Sequence, residues 1–215
     1  LPALQALLHT LPPALGQGAL APASGGGSDL VARLGSDRVL KCYPPHMQRH
    51  FAFELGVLPV LAGRLAVPTP QLLAHGRHHG WPWMVMTRLA GAPMTPVWPT
   101  LDEAAKCALL RQIGALIAQV HALPVPAAMQ PLSPAWPDFI ARQRAGCAAR
   151  QQRTGLPAHL LAQLDDFLAG PLPETAGEGG GGPVILTGEY TPMNLLVAAA
   201  EPAERARLAG MYDFG

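Results

Sequence analysis

Apolar residues change their spacing several times along the chain, and each change marks an element. Leu4, Leu7, Leu8 and Leu11 recur at helical steps, so the start predicts a short amphipathic helix. From Gly18 to Tyr43 the pattern becomes that of strands, with apolar runs at 30–34 and 38–43 after a Gly-rich turn over 21–29. Met47, Phe51, Leu55, Leu58 and Leu61 then step by three and four, which predicts a helix over 46–62 that Pro59 breaks or restarts. Strands are expected at 67–74 and 83–87, with His75, His78 and His79 at a polar hairpin tip between them. Beyond residue 100 the spacing is helical. Thr100 and Glu103 form a capping box, and Leu109, Leu110, Ile113, Leu116, Ile117 and Val120 line one face. A weaker helix covers 139–150, its Arg142, Arg144 and Arg150 reading as a solvated face, and Leu160, Leu161, Leu164, Phe167 and Leu168 mark another. The Gly-rich connector 177–183 leads into two apolar runs within 184–197 that bracket a short polar loop.

Composition narrows the function classes. The 215 residues suffice for a sizeable core in one domain or two lobes. Charged residues make up 13%, against the usual ~25%, and the net charge of +1 offers no basic stripe for nucleic acid. Cys42, Cys107 and Cys147 lie far apart, so they read as free thiols in a reducing, cytoplasmic setting. Residues 1–28 carry no Asp, Glu, Lys or Arg, yet four prolines interrupt them and no basic start precedes them. That pattern fits neither a membrane span of about 20 apolar residues nor a signal peptide, so no membrane partner is expected. The chain starts at Leu rather than Met, which reads as natural first residues left out.

The polar loop carries the candidate chemistry. It holds one carboxylate, Glu189, and one carboxamide, Asn194, with four residues between them. Asp213 follows nineteen residues after Asn194, inside Asp-Phe-Gly. Far upstream, Lys41 is a cation inside the apolar strand Val39-Leu40-Lys41-Cys42-Tyr43, and burial of an ammonium demands a carboxylate or a phosphate beside it. Glu54, on the helix that follows, is the candidate partner. Gly25, Gly26, Gly27 and Ser28 can present backbone N–H groups to a phosphate. An edge-strand lysine, a surface glutamate and a merely flexible turn are the bland readings of the same residues. No Gly-x-Ser-x-Gly, His-Glu-x-x-His or Walker A motif is present, and all eight histidines lie at or before His159. A hydrolase therefore has no starting point here.

Taken together, these residues resemble the aminoglycoside phosphotransferase and choline kinase-like family. Its loop usually reads His-Gly-Asp-x-His-x-x-Asn, where this chain reads Thr187-Gly188-Glu189-Tyr190-Thr191-Pro192-Met193-Asn194. The spacing and the closing Asp-Phe-Gly match; both histidines are absent and the aspartate is a glutamate. The resemblance implies an α+β, two-lobed protein kinase-like fold. Its first lobe, 1–93, would hold an antiparallel sheet, one helix, the Gly-rich loop and the hinge; its second, 94–215, would be mainly helical and carry the catalytic loop. It implies ATP held by Gly25, Gly26, Gly27, Ser28, the Lys41–Glu54 pair, a hinge around Met86, Thr87 and Leu89, and Leu196. It implies Mg²⁺ on Asn194 and Asp213, with Glu189 as base toward the hydroxyl of a small-molecule acceptor. Family members continue past Asp-Phe-Gly, so the sequence reads as truncated there. Because Thr-Gly-Glu departs from the family loop, a nucleotide-binding pseudokinase-like module with a degenerate catalytic loop and a regulatory or interaction role stands beside the kinase reading.

Overall fold

The computed structural model describes residues 7–9, 11, 15, 19–22, 30–132, 135–170, 183–187, 189–198 and 206–214. The chain divides into two compact units, Leu1–Met129 with Val184–Gly215, and Gln130–Pro183. The first unit contains a five-stranded antiparallel sheet in the order β1-β2-β3-β5-β4. Its strands are β1 (Leu20–Pro22), β2 (Leu30–Leu34), β3 (Arg38–Cys42), β4 (Leu72–His78) and β5 (Trp81–Thr87). Helix α1 (Gln48–Leu61) joins β3 to β4.

Strand β3 lies at the centre of the sheet, paired with β2 and β5, and its period-two alternation serves two apolar layers. Leu40 and Cys42 face a small cluster with Leu7, Leu11, Leu34, Trp83 and Val85. On the opposite face Val39, Tyr43, Met84 and Met86 join the main core with α1. With both faces covered, the lysine between Leu40 and Cys42 is buried as well: Lys41 is 5% exposed.

The rest of the first unit is built on α2 (Met94–Val97), α3 (Glu103–His121) and a second sheet. That sheet orders β6 (Ala92–Pro93), β7 (Leu195–Ala198) and β8 (Arg207–Met211) as β6-β7-β8, all antiparallel. Leu109, Ile113, Leu116 and Val120 are the buried stripe of α3, at the helical period. Among its described residues, the second unit contains α4 (Trp136–Arg153), α5 (Ala158–Leu161) and α6 (Leu164–Ala169).

Several local expectations are corrected. Pro59 lies inside α1, which runs on to Leu61, and Ala62 N still donates to Leu58 O beyond it. The helix is turned relative to the expected face: Glu54 and Val57 are buried, whereas Leu55 is half-buried. Strand β4 begins at Leu72, not at residue 67, because Pro68 and Pro70 have no N–H for a ladder. His75 and His78 then belong to β4; the turn is His79–Gly80, both at positive φ as a two-residue hairpin requires. Gly76 sits where a Cβ would come within 2.7 Å of the Trp83 ring. At α3 the cap is Asp102, which accepts from Ala105 N at 2.7 Å, while Thr100 Oγ1 donates to Val97 O. Leu110 stays exposed, and the single helix expected at 160–168 is two short ones.

Candidate active site

Residues two apart on a strand share a face, so β3 directs Lys41 and the adjoining Tyr43 toward α1. On α1 the buried positions Phe51, Glu54, Val57, Leu58 and Leu61 form one stripe, and Glu54 is its acidic member at 1% exposure. Lys41 Nζ donates to Glu54 Oε2 at 2.7 Å and to Asp213 Oδ1 at 2.6 Å. Tyr43 OH donates to the same Glu54 Oε2 and its ring centroid lies 5.0 Å from Lys41 Nζ. Burial by itself lowers the pKa of Lys41, but the Glu54 and Asp213 charges and hydrogen bonds outweigh it and hold the ammonium above the ordinary lysine range.

Asp213 reaches this cluster from the end of β8. Its backbone takes φ +66°, a left-handed turn that Asp and Asn tolerate best among non-glycine residues. The preceding Tyr212 fastens the two arms together. Its N–H donates to Asn194 O at 3.0 Å and its hydroxyl to Met193 O at 2.5 Å. Burial first, and then the Asp213 charge, push the Tyr212 phenol up.

The loop between Ile185 and β7 is held largely by its own backbone. Glu189 N donates to Thr187 O at 2.8 Å, and Asn194 N to Thr191 O at 3.0 Å within a 3₁₀ turn over Pro192–Asn194. Asn194 Nδ2 donates to Glu189 O at 3.3 Å, which leaves the carboxamide oxygen as the acceptor end of that side chain. Glu189 itself is exposed. The hydroxyls of Thr187, Tyr190 and Thr191 are buried without a hydrogen-bond partner among the described residues. Burial pushes the Tyr190 phenol up, and the Thr187 hydroxyl opposes this without meeting it in a well-formed hydrogen bond.

At the expected hinge, Met86 is buried in β5 opposite Val39 and Leu72. Thr87 N donates to Gln71 O at 2.9 Å and Arg88 N to Asp37 O at 2.7 Å. Leu89 and Leu196 converge on Gly210, where a Cβ would meet Leu89 Cδ1 at 2.8 Å and Leu196 Cδ1 at 3.6 Å. Gly25, Gly26, Gly27 and Ser28 lie outside the described residues. Among the described residues no three His, Cys, Asp or Glu side chains cluster as a metal site, and no helix is long and apolar enough to cross a membrane.

The structure thus joins Lys41, Glu54 and Asp213 in one cluster, with Asn194 bonded to the residue before Asp213. Two participants escaped the sequence. Tyr43 had a signal, since it follows Lys41 by two in a strand; Tyr212, read only as part of the closing segment, had none.

The chain matches the model of the phosphotransferase enzyme family over residues 19–215 and belongs to that family. Among solved structures it is similar to the GDP complex of wild-type aminoglycoside 2'-phosphotransferase-IIIa, with a TM-score of 0.75, 18% identity, and 98% of this chain and 71% of that one covered. The GDP and kanamycin complex of APH(2")-IIia matches at a TM-score of 0.69 and 19% identity, covering 91% of this chain and 66% of that one. The macrolide 2'-phosphotransferase MphH from Brachybacterium faecium matches at 0.62 and 21% identity, covering 100% of this chain and 71% of that one. The fold is therefore the protein kinase-like α+β fold of these phosphotransferases, and the chain spans only 66% to 71% of their lengths.

Proposed function

We propose that the chain is an ATP-dependent O-phosphotransferase that moves the γ-phosphate to a hydroxyl of a small-molecule acceptor of aminoglycoside, choline or sugar type. One observation carries this reading: Lys41 Nζ stands between Glu54, thirteen residues away, and Asp213, 172 residues away, in hydrogen-bond contact with both. Burying a lysine with a glutamate is costly unless the pair has work to do, and a lysine that also reaches the exposed Asp213 is held where a phosphate could meet it. Two of the solved relatives are complexes with GDP, one of them with kanamycin as well, which supports nucleotide and small-molecule use here. The lobes of this reading are 1–93 and 94–215, with the nucleotide on Lys41, Met86, Thr87, Leu89 and Leu196 and on the Gly25, Gly26, Gly27 and Ser28 turn. Because the Thr87 and Arg88 N–H groups are engaged, Leu89 is the segment's candidate donor to a base edge.

Asn194 and Asp213 suit Mg²⁺, a neutral carbonyl oxygen and a carboxylate both being hard donors, and the ion would neutralise phosphate charge. Asn194 Nδ2 donates to Glu189 O, which leaves the carboxamide oxygen as the end of that side chain a cation could use. Glu189 serves as base, taking the acceptor's proton and aligning its oxygen. Cytoplasmic residence belongs to the same proposal, and Cys42, Cys107 and Cys147 are all unpaired thiols.

The orphaned hydroxyls of Thr187, Tyr190 and Thr191 favour a second reading, a nucleotide-binding module whose loop no longer supports turnover. Glu189→Gln separates the two. Phosphate transfer is measured from ATP over a panel of aminoglycosides, choline-like alcohols and sugars. The enzyme reading expects turnover in the wild type, a loss of at least about 100-fold in the variant and an unchanged ATP affinity. Equal trace activity of both proteins across the panel leaves the binding module.

A further inference from the structure

Glu54 Oε2 receives two donors, the Lys41 ammonium and the Tyr43 hydroxyl. Tyr43 is fully buried, and its ring is fixed edge-on to Phe51 at 5.3 Å and 66°. Its hydroxyl has one proton to give. Met84 Sδ lies 3.3 Å away, but a thioether is a weak acceptor, so the proton goes to the carboxylate. This second donor has a physical reason. Lys41 is shared with Asp213, and the cluster of one cation and two carboxylates carries an excess negative charge. A carboxylate as buried as Glu54, holding only part of a cation, is stabilised by each further hydrogen bond it accepts. The tyrosine ring also faces the ammonium, so one side chain touches both members of the pair.

We propose that Tyr43 is a positioning residue for the nucleotide site: it fixes the Glu54 carboxylate, and through it the place of Lys41, without touching the nucleotide itself. This goes beyond the phosphotransferase reading and rests on it. The residue is two positions from the lysine in sequence and eleven from the glutamate, so β3 and the residue that adjoins it supply both donors to one oxygen of α1.

A double-mutant cycle on the full chain tests the proposal. Tyr43→Phe removes one oxygen and keeps the ring against Phe51, and Glu54→Gln removes the charge that the hydroxyl serves. ATP affinity with MgCl₂ is measured by calorimetry, and urea unfolding confirms that each protein is folded. Tyr43→Phe is expected to weaken ATP binding about tenfold in the wild type and by less than about twofold in the Glu54→Gln background. Should Glu54→Gln fail to fold, Lys41→Met is the second background, since removing the lysine silences a Tyr43 effect that passes through it. Equal losses in both backgrounds mean that the hydroxyl acts through packing alone, and the proposal falls. Undiminished affinity of Tyr43→Phe overturns it equally. A wild type that binds neither ATP nor GTP removes the phosphotransferase reading itself, and the positioning role with it.

Discussion

Asp213 does two jobs that pull on one carboxylate, since it is an acceptor for Lys41 and the charged half of the proposed metal pair. Nearly half of its side chain is exposed, at 46%, against 1% for Glu54, so Glu54 is the structural partner and Asp213 the accessible one. The left-handed backbone at Asp213 makes Asn the fitting replacement: Asn tolerates that region, so Asp213→Asn removes charge without adding strain. Nucleotide binding by the wild type should strengthen when Mg²⁺ is added, and Asp213→Asn should lose most of that gain while keeping its metal-free affinity. Calorimetry with MgCl₂ and with EDTA measures both. A variant that keeps the full wild-type gain places the metal on other residues.

At the scale of elements, Asp213 is placed by β8, and β8 is held by a helix. Gln112 of α3 donates from Nε2 to Ala206 O at 3.3 Å and accepts Leu208 N on Oε1 at 3.0 Å, serving the strand as a neighbouring strand would. Gln112→Ala leaves a donor and an acceptor of the backbone unmet at buried residues, so it should lower stability by about 1–3 kcal/mol. Urea unfolding would show this, and a loss of only a few tenths would mean that water replaces the amide. Gln112 also shows what the sequence hides. Read alone it is a polar residue among the apolar ones of α3, and nothing local ties it to a strand more than ninety residues away. Strands and helices with clean periods were legible: β2, β3, α1 and α3 all follow from spacing. Elements whose signal depends on an edge or a cap were not. β4 is an edge strand with alternating exposure, so its His and Arg positions looked like a turn. Asp102 outcompetes Thr100 as the cap because Thr100 is already committed to Val97 O. In the site, Lys41, Glu54 and Asp213 stood out as charges in apolar surroundings, whereas Tyr43 looked like one more core aromatic.

For the whole sheet-bearing unit, burial of groups that ionise in alkali sets how stability depends on pH. Cys42, 4% exposed in an apolar cluster, is pushed by burial from an ordinary 9.0 up to about 12. Lys41 is raised above its ordinary 10.5, the two carboxylates outweighing burial. In both cases the folded protein keeps a proton that the unfolded chain gives up, so the unfolded state binds fewer protons and stability falls as pH rises. The thiol contribution is intact below pH 9 and is lost above it, toward 12. The lysine contribution is intact below 10.5 and is lost only as pH passes the raised value. Tyr190 and Tyr212, raised above an ordinary 10.0, join between these. Cys42 is the first of these groups to ionise in the unfolded chain, and between pH 9 and 10 it contributes a slope on the order of 1 kcal/mol per pH unit, to which the two phenols add as pH nears 10. Cys42→Ala should be less stable at pH 7, because it leaves a small cavity beside Leu40 and Trp83, yet its stability should decline less steeply from pH 9 to 10 than that of the wild type. Urea midpoints taken with reductant at each pH give the two curves. Parallel curves over that interval would mean that the thiol ionises as readily in the folded protein as in the unfolded chain, so that the layer under β3 admits water.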